Sequence, residues 1–320
     1  MKAPKTLLEA IQYFSDEQVC IDAVAMMRWP QGVRCGLCDA DKPYYLKTQK
    51  RWKCRSCRKQ FSVKVNSIFE DSPISLKKWL PALWLIVNCK NGVSSYEIAR
   101  DLGITQKSAW FMLQRLRLAM KAGLSKVGGA GGPVEMDETF IGGKPLNMHR
   151  DRRLKLKVGM NGYAEKTAVV GMLDRESRQV RAKVVPNVKR ETLQAAILDG
   201  IEHKATVYTD GWRGYDNMDA ARYIHETVNH ATEYVRGNVH TQGIENFWSL
   251  LKRGLKGTYV AVEPFHLDRY LDEQCFRFNH RATPDNPLND ADRFYIALAQ
   301  VANKRLTYAE LTGKVSTTQA

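Results

Sequence analysis

Apolar residues in the first 120 positions recur mainly at helical spacing, whereas beyond residue 133 short runs of strand length alternate with helices. The longest apolar run, WLPALWLIVNC, has 11 residues and contains Pro81. It is too short to cross a bilayer and predicts a buried helix around Leu76–Cys89. Next comes SSYEIARDLGITQKSAWFMLQRLRLAM. Ser94 or Ser95 caps a first helix with Glu97 nearby, and Ile98, Ala99 and Leu102 form its inner face. Gly103 permits a tight turn, Thr105 caps a second helix, and Ala109, Met112, Leu113 and Leu116 continue the core. The stretch Gly123–Pro133, with five glycines and a proline, marks a boundary.

Past that boundary the pattern is mixed α/β. VEMDETFIGG reads as a strand, NMHRDRRLKLKVGMNG as a basic loop, and TAVVGMLD with QVRAKVVP as a hairpin around RES. KRETLQAAILDGI reads as a helix, and ATVYTDGW and YIHETVNH as strands. The segment GIENFWSLLKRGLKG reads as a helix with Ile244, Phe247, Trp248, Leu251 and Leu255 on one face and Glu245, Ser249, Lys252 and Lys256 on the other.

Charge divides the chain at the same place. Residues 1–130 hold 22 Lys and Arg against 10 Asp and Glu, a net of +12, while residues 131–320 hold 27 against 24, a net of +3. A total of +15 implies a polyanionic partner, most simply nucleic acid. The opening MKAPKTLLEAIQYFSDEQ lacks the apolar core of a signal peptide, so a cytoplasmic, nucleoid-associated protein with no membrane partner is expected.

Four of the seven cysteines, Cys35, Cys38, Cys54 and Cys57, follow the pattern C-x2-C-x15-C-x2-C. Four thiolates close a tetrahedral shell around Zn2+ and leave no position for substrate, so the expected zinc is structural. Cys20, Cys89 and Cys275 have no such spacing and read as buried residues. Around the knuckles Tyr44, Tyr45, Trp52 and Phe61 alternate with Lys53, Arg55, Arg58 and other cations, a surface suited to DNA phosphates. The two helices after residue 94 match a helix-turn-helix, whose second helix enters the major groove. Gln106, Lys107 and Ser108 are the expected base readers, and Arg115 and Arg117 the expected phosphate contacts.

Two strands carry an acid where an apolar residue would suit a buried strand: Asp137 and Asp210. Glu245 is the only carboxylate from Tyr234 through Val262, and Lys252 lies two helical turns beyond it. That pair could be an exposed ion pair of little consequence, or part of a metal site with the lysine aimed at a phosphate. Strand Asp, strand Asp and helix Glu together suit two hard cations, Mg2+ or Mn2+, for phosphodiester chemistry, with Asp137 shared between them. Glu135 and Glu138, which flank Asp137, are expected on the opposite face of the strand. His149, His240 and His280 are lesser candidates for active-site or DNA contact.

With those motifs in hand the chain resembles the DDE insertion-sequence transposases with an N-terminal zinc ribbon, the ISXO2-like group. The resemblance runs from about Phe14 to Arg281 and rests on VEMDETFIGGK, VYTDGWRGY, GIENFWSLLKRG, FRFNHR, the two cysteine knuckles and EIARDLGITQKSAWFMLQRLR. It implies a multidomain fold: helical segment 1–30, zinc ribbon 31–64, all-α helix-turn-helix domain 65–122, linker 123–133, α/β ribonuclease-H-like catalytic core 134–285 and C-terminal tail 286–320. It further implies a catalytic triad of Asp137, Asp210 and Glu245, a functional Lys252, double-stranded DNA as partner (element ends and target), and a homodimer or larger assembly on DNA. The implied reaction hydrolyses a phosphodiester at an element end and joins the freed 3′-OH to target DNA. A catalytically silent DNA-binding regulator and a metal-dependent nuclease without strand transfer remain as alternatives.

Overall fold

The computed structural model describes residues 4–121, 123, 126–129, 132–143, 166–216, 218, 222–228 and 236–314. The basic loop with His149 and the last two residues of YIHETVNH lie outside them. The chain forms two compact units, Met1–Ala122 with His280–Ala320, and Gly123–Asn279.

The first unit opens with helices α1 (Leu7–Tyr13) and α2 (Glu17–Arg28), each begun by a polar side chain, Thr6 or Asp16, that accepts a backbone N–H. A small antiparallel sheet follows, β1 (Tyr44–Leu46), β2 (Arg51–Lys53) and β3 (Gln60–Phe61), with Trp52 paired to Tyr45 on one side and Phe61 on the other. Helix α3 (Leu76–Asn88) buries nearly every apolar residue of the long run, as its composition requires. Helices α4 (Ser95–Leu102) and α5 (Gln106–Met120) are joined by a turn at Gly103, whose φ of 57° is one that favours glycine. Ser94 and Glu97 form a reciprocal capping box on α4, and Thr105 caps α5.

The expected tail is not separate. Residues 280–314 return to this unit, where α9 (Asp290–Ala299) and α10 (Tyr308–Leu311) pack as integral parts. Phe294 meets Phe14 at 5.4 Å and Trp84 at 5.3 Å, and the Ile68 N–H donates to the Val301 carbonyl at 3.1 Å. Polar stretches hid that packing from the sequence pattern, because its partners lie two hundred or more positions away.

The second unit is a five-stranded sheet in the order β6-β5-β4-β7-β8. Strands β4 (Pro133–Ile141), β5 (Thr167–Asp174) and β6 (Val180–Val185) form an antiparallel meander. Helix α6 (Arg190–Gly200) leads to β7 (Thr206–Asp210), which runs parallel to β4, and β8 (Ile224–Val228) runs parallel to β7. Two layers of helix cover the sheet. Val134, Met136, Val170 and Val207 bury against Leu193 and Ile197 of α6. On the other face Val169 and Leu173 pack with Ile244, Phe247 and Trp248 of α7 (Gln242–Gly254) and Leu271 of α8 (Leu267–Asn279).

Candidate active site

Alternation along β4 decides which acids can meet. Val134 and Met136 face α6, so Glu135, Asp137 and Thr139 face α7. On β7, Val207 faces α6, and Tyr208 and Asp210 therefore face α7. The parallel β4–β7 register ends at the pair Glu135–Tyr208, and carried two residues further it sets Asp137 level with Asp210. Adjacent strands lie about 4.8 Å apart, which makes the two aspartates neighbours on one face.

Helix α7 covers that face. Its apolar side is the one the sequence pattern predicted: Ile244, Phe247, Trp248 and Leu251 are buried, and Glu245 is exposed beside them. Thr241 donates its hydroxyl to Glu245 at 2.9 Å across the first turn, and the Trp248 indole N–H donates to the Asp137 carboxylate at 2.9 Å. Trp248 can approach so closely because Asp137 pairs with Gly171 on β5, where a Cβ would stand 2.6 Å from the indole.

The electrostatics bind these groups together. Burial, then the like charge of Asp210, raises Asp137 to about 6; the Trp248 hydrogen bond opposes the rise and Glu245 adds to it. Burial also lowers Lys252 from the ordinary lysine range, while Asp137 holds it up. Lys252 thus answers to Asp137 as well as to its own helix.

The flanking glutamates correct the expectation. Glu135, two positions from Asp137, shares its face, as the pleat requires. Its buried carboxylate accepts from the Ile244 N–H at the start of α7 (2.9 Å) and from Arg175 Nε (2.7 Å). Arg175 reaches on to the His240 ring (2.7 Å) and lies 4.6 Å from the centre of the Tyr208 ring. Gly243 makes room, since a Cβ there would stand 2.9 Å from Glu135 Oε2. Glu138 alone is on the α6 face, where it accepts from the Tyr215 hydroxyl at 2.5 Å. Burial raises Glu138 to about 7, with the Tyr215 bond opposing and Asp210 and Asp137 adding. The signal for Glu135 was present in its spacing; the signal for Tyr215 was not.

In the other unit the four cysteines meet. All their sulfur atoms lie within 4.8 Å of one another, with Cys35–Cys57 at 3.8 Å and Cys38–Cys54 at 3.7 Å. A tetrahedron with Zn–S bonds of about 2.3 Å has edges near 3.8 Å, so the donor set fits zinc. Among the described residues these four thiols are the group drawn together closely enough to hold a metal ion.

Residues 129–279 match the ISXO2-like transposase domain, and residues 15–60 match the transposase zinc-ribbon domain. The chain belongs to the ISXO2-like transposase family. It is 27% identical over 271 residues to an uncharacterized protein in transposable element ISH50 of Halobacterium salinarum, covering 82% of this chain and 90% of that one. It is also 35% identical over 102 residues to an uncharacterized transposase-like protein of Haemophilus influenzae, covering 32% of this chain and 82% of that one. A solved structure, the simian T-cell lymphotropic virus intasome in complex with PP2A regulatory subunit B56 gamma, aligns at 12% identity and a TM-score of 0.32 over 62% of this chain and 69% of that chain. A likeness that loose carries no argument.

The family match covers residues 129–279, and the second compact unit spans Gly123–Asn279. Outside it, the expected DNA-contact residues fare unequally. Lys107, Arg55 and Arg58 are exposed and Lys53 is half-buried. Gln106 donates to Ser95 at 2.9 Å and so ties α5 to α4, and the Ser108 N–H donates to the Thr105 side chain in the cap of α5 itself. Arg115 and Arg117 are a correction: they are 5% and 1% exposed. The Arg115 guanidinium donates to the carbonyls of Leu306, Ile68 and Glu70 at 2.7–3.0 Å, clamping the returning C-terminal segment rather than facing solvent. Cys20 and Cys275 are buried, as expected, whereas Cys89 is only half-buried. Among the described residues no helix is long and apolar enough to cross a membrane.

Proposed function

We propose that this transposase-family chain binds the terminal inverted repeats of an insertion sequence, cuts a phosphodiester at each end to free a 3′-OH, and joins that end to target DNA. The observation that carries the reading is the placement of Asp137 and Asp210 on one face of adjacent strands, with Glu245 and Lys252 within electrostatic reach of Asp137. The strand order, an antiparallel meander followed by two parallel strands, supports a ribonuclease-H-like core. The α4–turn–α5 unit supports a helix-turn-helix, with Lys107 at its exposed N-terminal end.

The charges of Asp210 and Glu245 both raise the proton affinity of Asp137, and an all-oxygen donor set suits Mg2+ or Mn2+. Asp137, Asp210 and Glu245 would hold two such ions, with Asp137 shared. Bound there, the ions would activate the attacking oxygen and neutralise the leaving one. The chain's own residues supply the rest. Trp248 fixes the Asp137 carboxylate, Lys252 sets a positive charge beside the phosphate path, and the Glu135–Arg175 pair anchors the start of α7. Two element ends must be held together for joining, so at least two copies act on the DNA.

Asp137→Ala tests the assignment. Cleavage of an element-end duplex should vanish while duplex binding persists; cleavage at the wild-type rate would sink the triad. Joining of a pre-cut end to a target plasmid separates a transposase from a plain nuclease.

A further inference from the structure

A cavity of about 510 Å3 opens beside Trp212, lined also by Asn187, Val188, Lys189, Arg190 and Glu191. Of the seven tryptophans Trp212 alone is exposed, at 48%. The ring is nonetheless held in place. Its Nε1 donates to the Val188 carbonyl at 3.5 Å, and a Cβ on Gly214 would stand 2.8 Å from the indole. An apolar plane fixed at its polar edge and open on its face is a stacking platform that loses little freedom on binding. Lys189 and Arg190 are both exposed on the rim. Glu191 on the same rim limits the positive charge, which suits one phosphodiester rather than a polyphosphate. The backbone N–H of Trp212 donates to Asp210 Oδ1 at 3.0 Å, so the platform is tied to a candidate catalytic acid.

We propose that this cavity receives one unstacked nucleobase of the DNA strand being cut, with the base on the Trp212 indole and its phosphate against Lys189 and Arg190. The inference rests on the assignment of Asp137 and Asp210 to strand cleavage. Extruding a base costs stacking energy, and an aromatic face restores it without regard to sequence.

The test uses full-length protein carrying Asp137→Asn, which cannot cut, and a duplex of the element's own end. 2-Aminopurine replaces the bases nearest the cleaved bond, one position at a time. One position should change its fluorescence on binding, and the change should be lost with Trp212→Ala and largely kept with Trp212→Phe. With Asp137 intact, cleavage by Trp212→Ala should fall by about tenfold or more, with duplex affinity little altered. A response at no position, or one indifferent to Trp212→Ala, overturns the proposal; the Phe variant guards against a folding defect. If the Trp212-dependent response appears but Asp137 proves dispensable for cleavage, the stacking site stands and the catalytic assignment falls.

Discussion

Replacing Gly171 with alanine should destabilise the sheet–helix contact at the heart of the site. The new methyl would stand 2.6 Å from two benzo-ring carbons of Trp248 and 2.9 Å from Ile244 Cδ1. Carbon atoms at van der Waals contact sit about 3.5–4.0 Å apart, so the indole must retreat by about 1 Å. Trp248 is 4% exposed and packed in the core, so it has little room to move. Overpacking of this kind costs about 1–3 kcal/mol. The same retreat stretches the 2.9 Å hydrogen bond to Asp137 past its useful range. A bond to a charged group is worth about 1.5–3 kcal/mol. The two effects overlap, giving a loss of roughly 2–5 kcal/mol and a fall in Tm of roughly 5–15 °C for a unit of this size. Thermal unfolding followed by tryptophan fluorescence measures it. A double-mutant cycle identifies the cause, because Trp248→Phe lacks the two clashing atoms. Gly171→Ala should therefore cost much less in the Phe background. A Gly171→Ala change within about 0.5 kcal/mol of wild type, or strict additivity with Trp248→Phe, would refute the packing account.

Glu135→Ala should destabilise the transposase domain by about 3–5 kcal/mol, because it strands the largely buried Arg175 without its partner; urea unfolding checks this. Purified protein should contain one zinc per chain by elemental analysis, and Cys57→Ser or a strong chelator should remove it and shift the fluorescence of the buried Trp52. His225, whose ring meets the Thr209 hydroxyl at 2.9 Å, has its pKa lowered by burial against the opposing pull of Asp216. Its neutral form is the one the fold accepts, so the contribution is complete above about pH 6.5 and is lost as pH falls through the lowered value. The stability difference between wild type and His225→Gln should shrink over that descent and stay constant above it.

Much of the site is legible in the order of residues. The apolar stripe of α7 and the isolated Glu245 on its other side follow from a period of 3.6 residues, and the zinc cluster follows from two knuckles that each bring two thiols together locally. Glu135 is legible in principle, since a two-residue step along a strand returns to the same face. Arg115 is not. Its place near the end of an amphipathic helix suits a phosphate contact equally well, and only the three carbonyls it meets, from segments 45 to 191 positions away, reveal a clamp.

Whatever depends on neighbours a few residues apart is written locally in the chain: the capped helices, the turn at Gly103, the cysteine knuckles, and which side of each strand and helix carries its acids. Contacts between distant segments had to be made before the rest was settled. They set β7 beside β4 in a register that makes Asp137 and Asp210 neighbours, and they laid Trp248 against Gly171 so that its N–H meets Asp137. They also returned residues 280–314 to the N-terminal unit. Periodicity reports the direction in which a side chain points; only the packed chain reports what stands there to meet it.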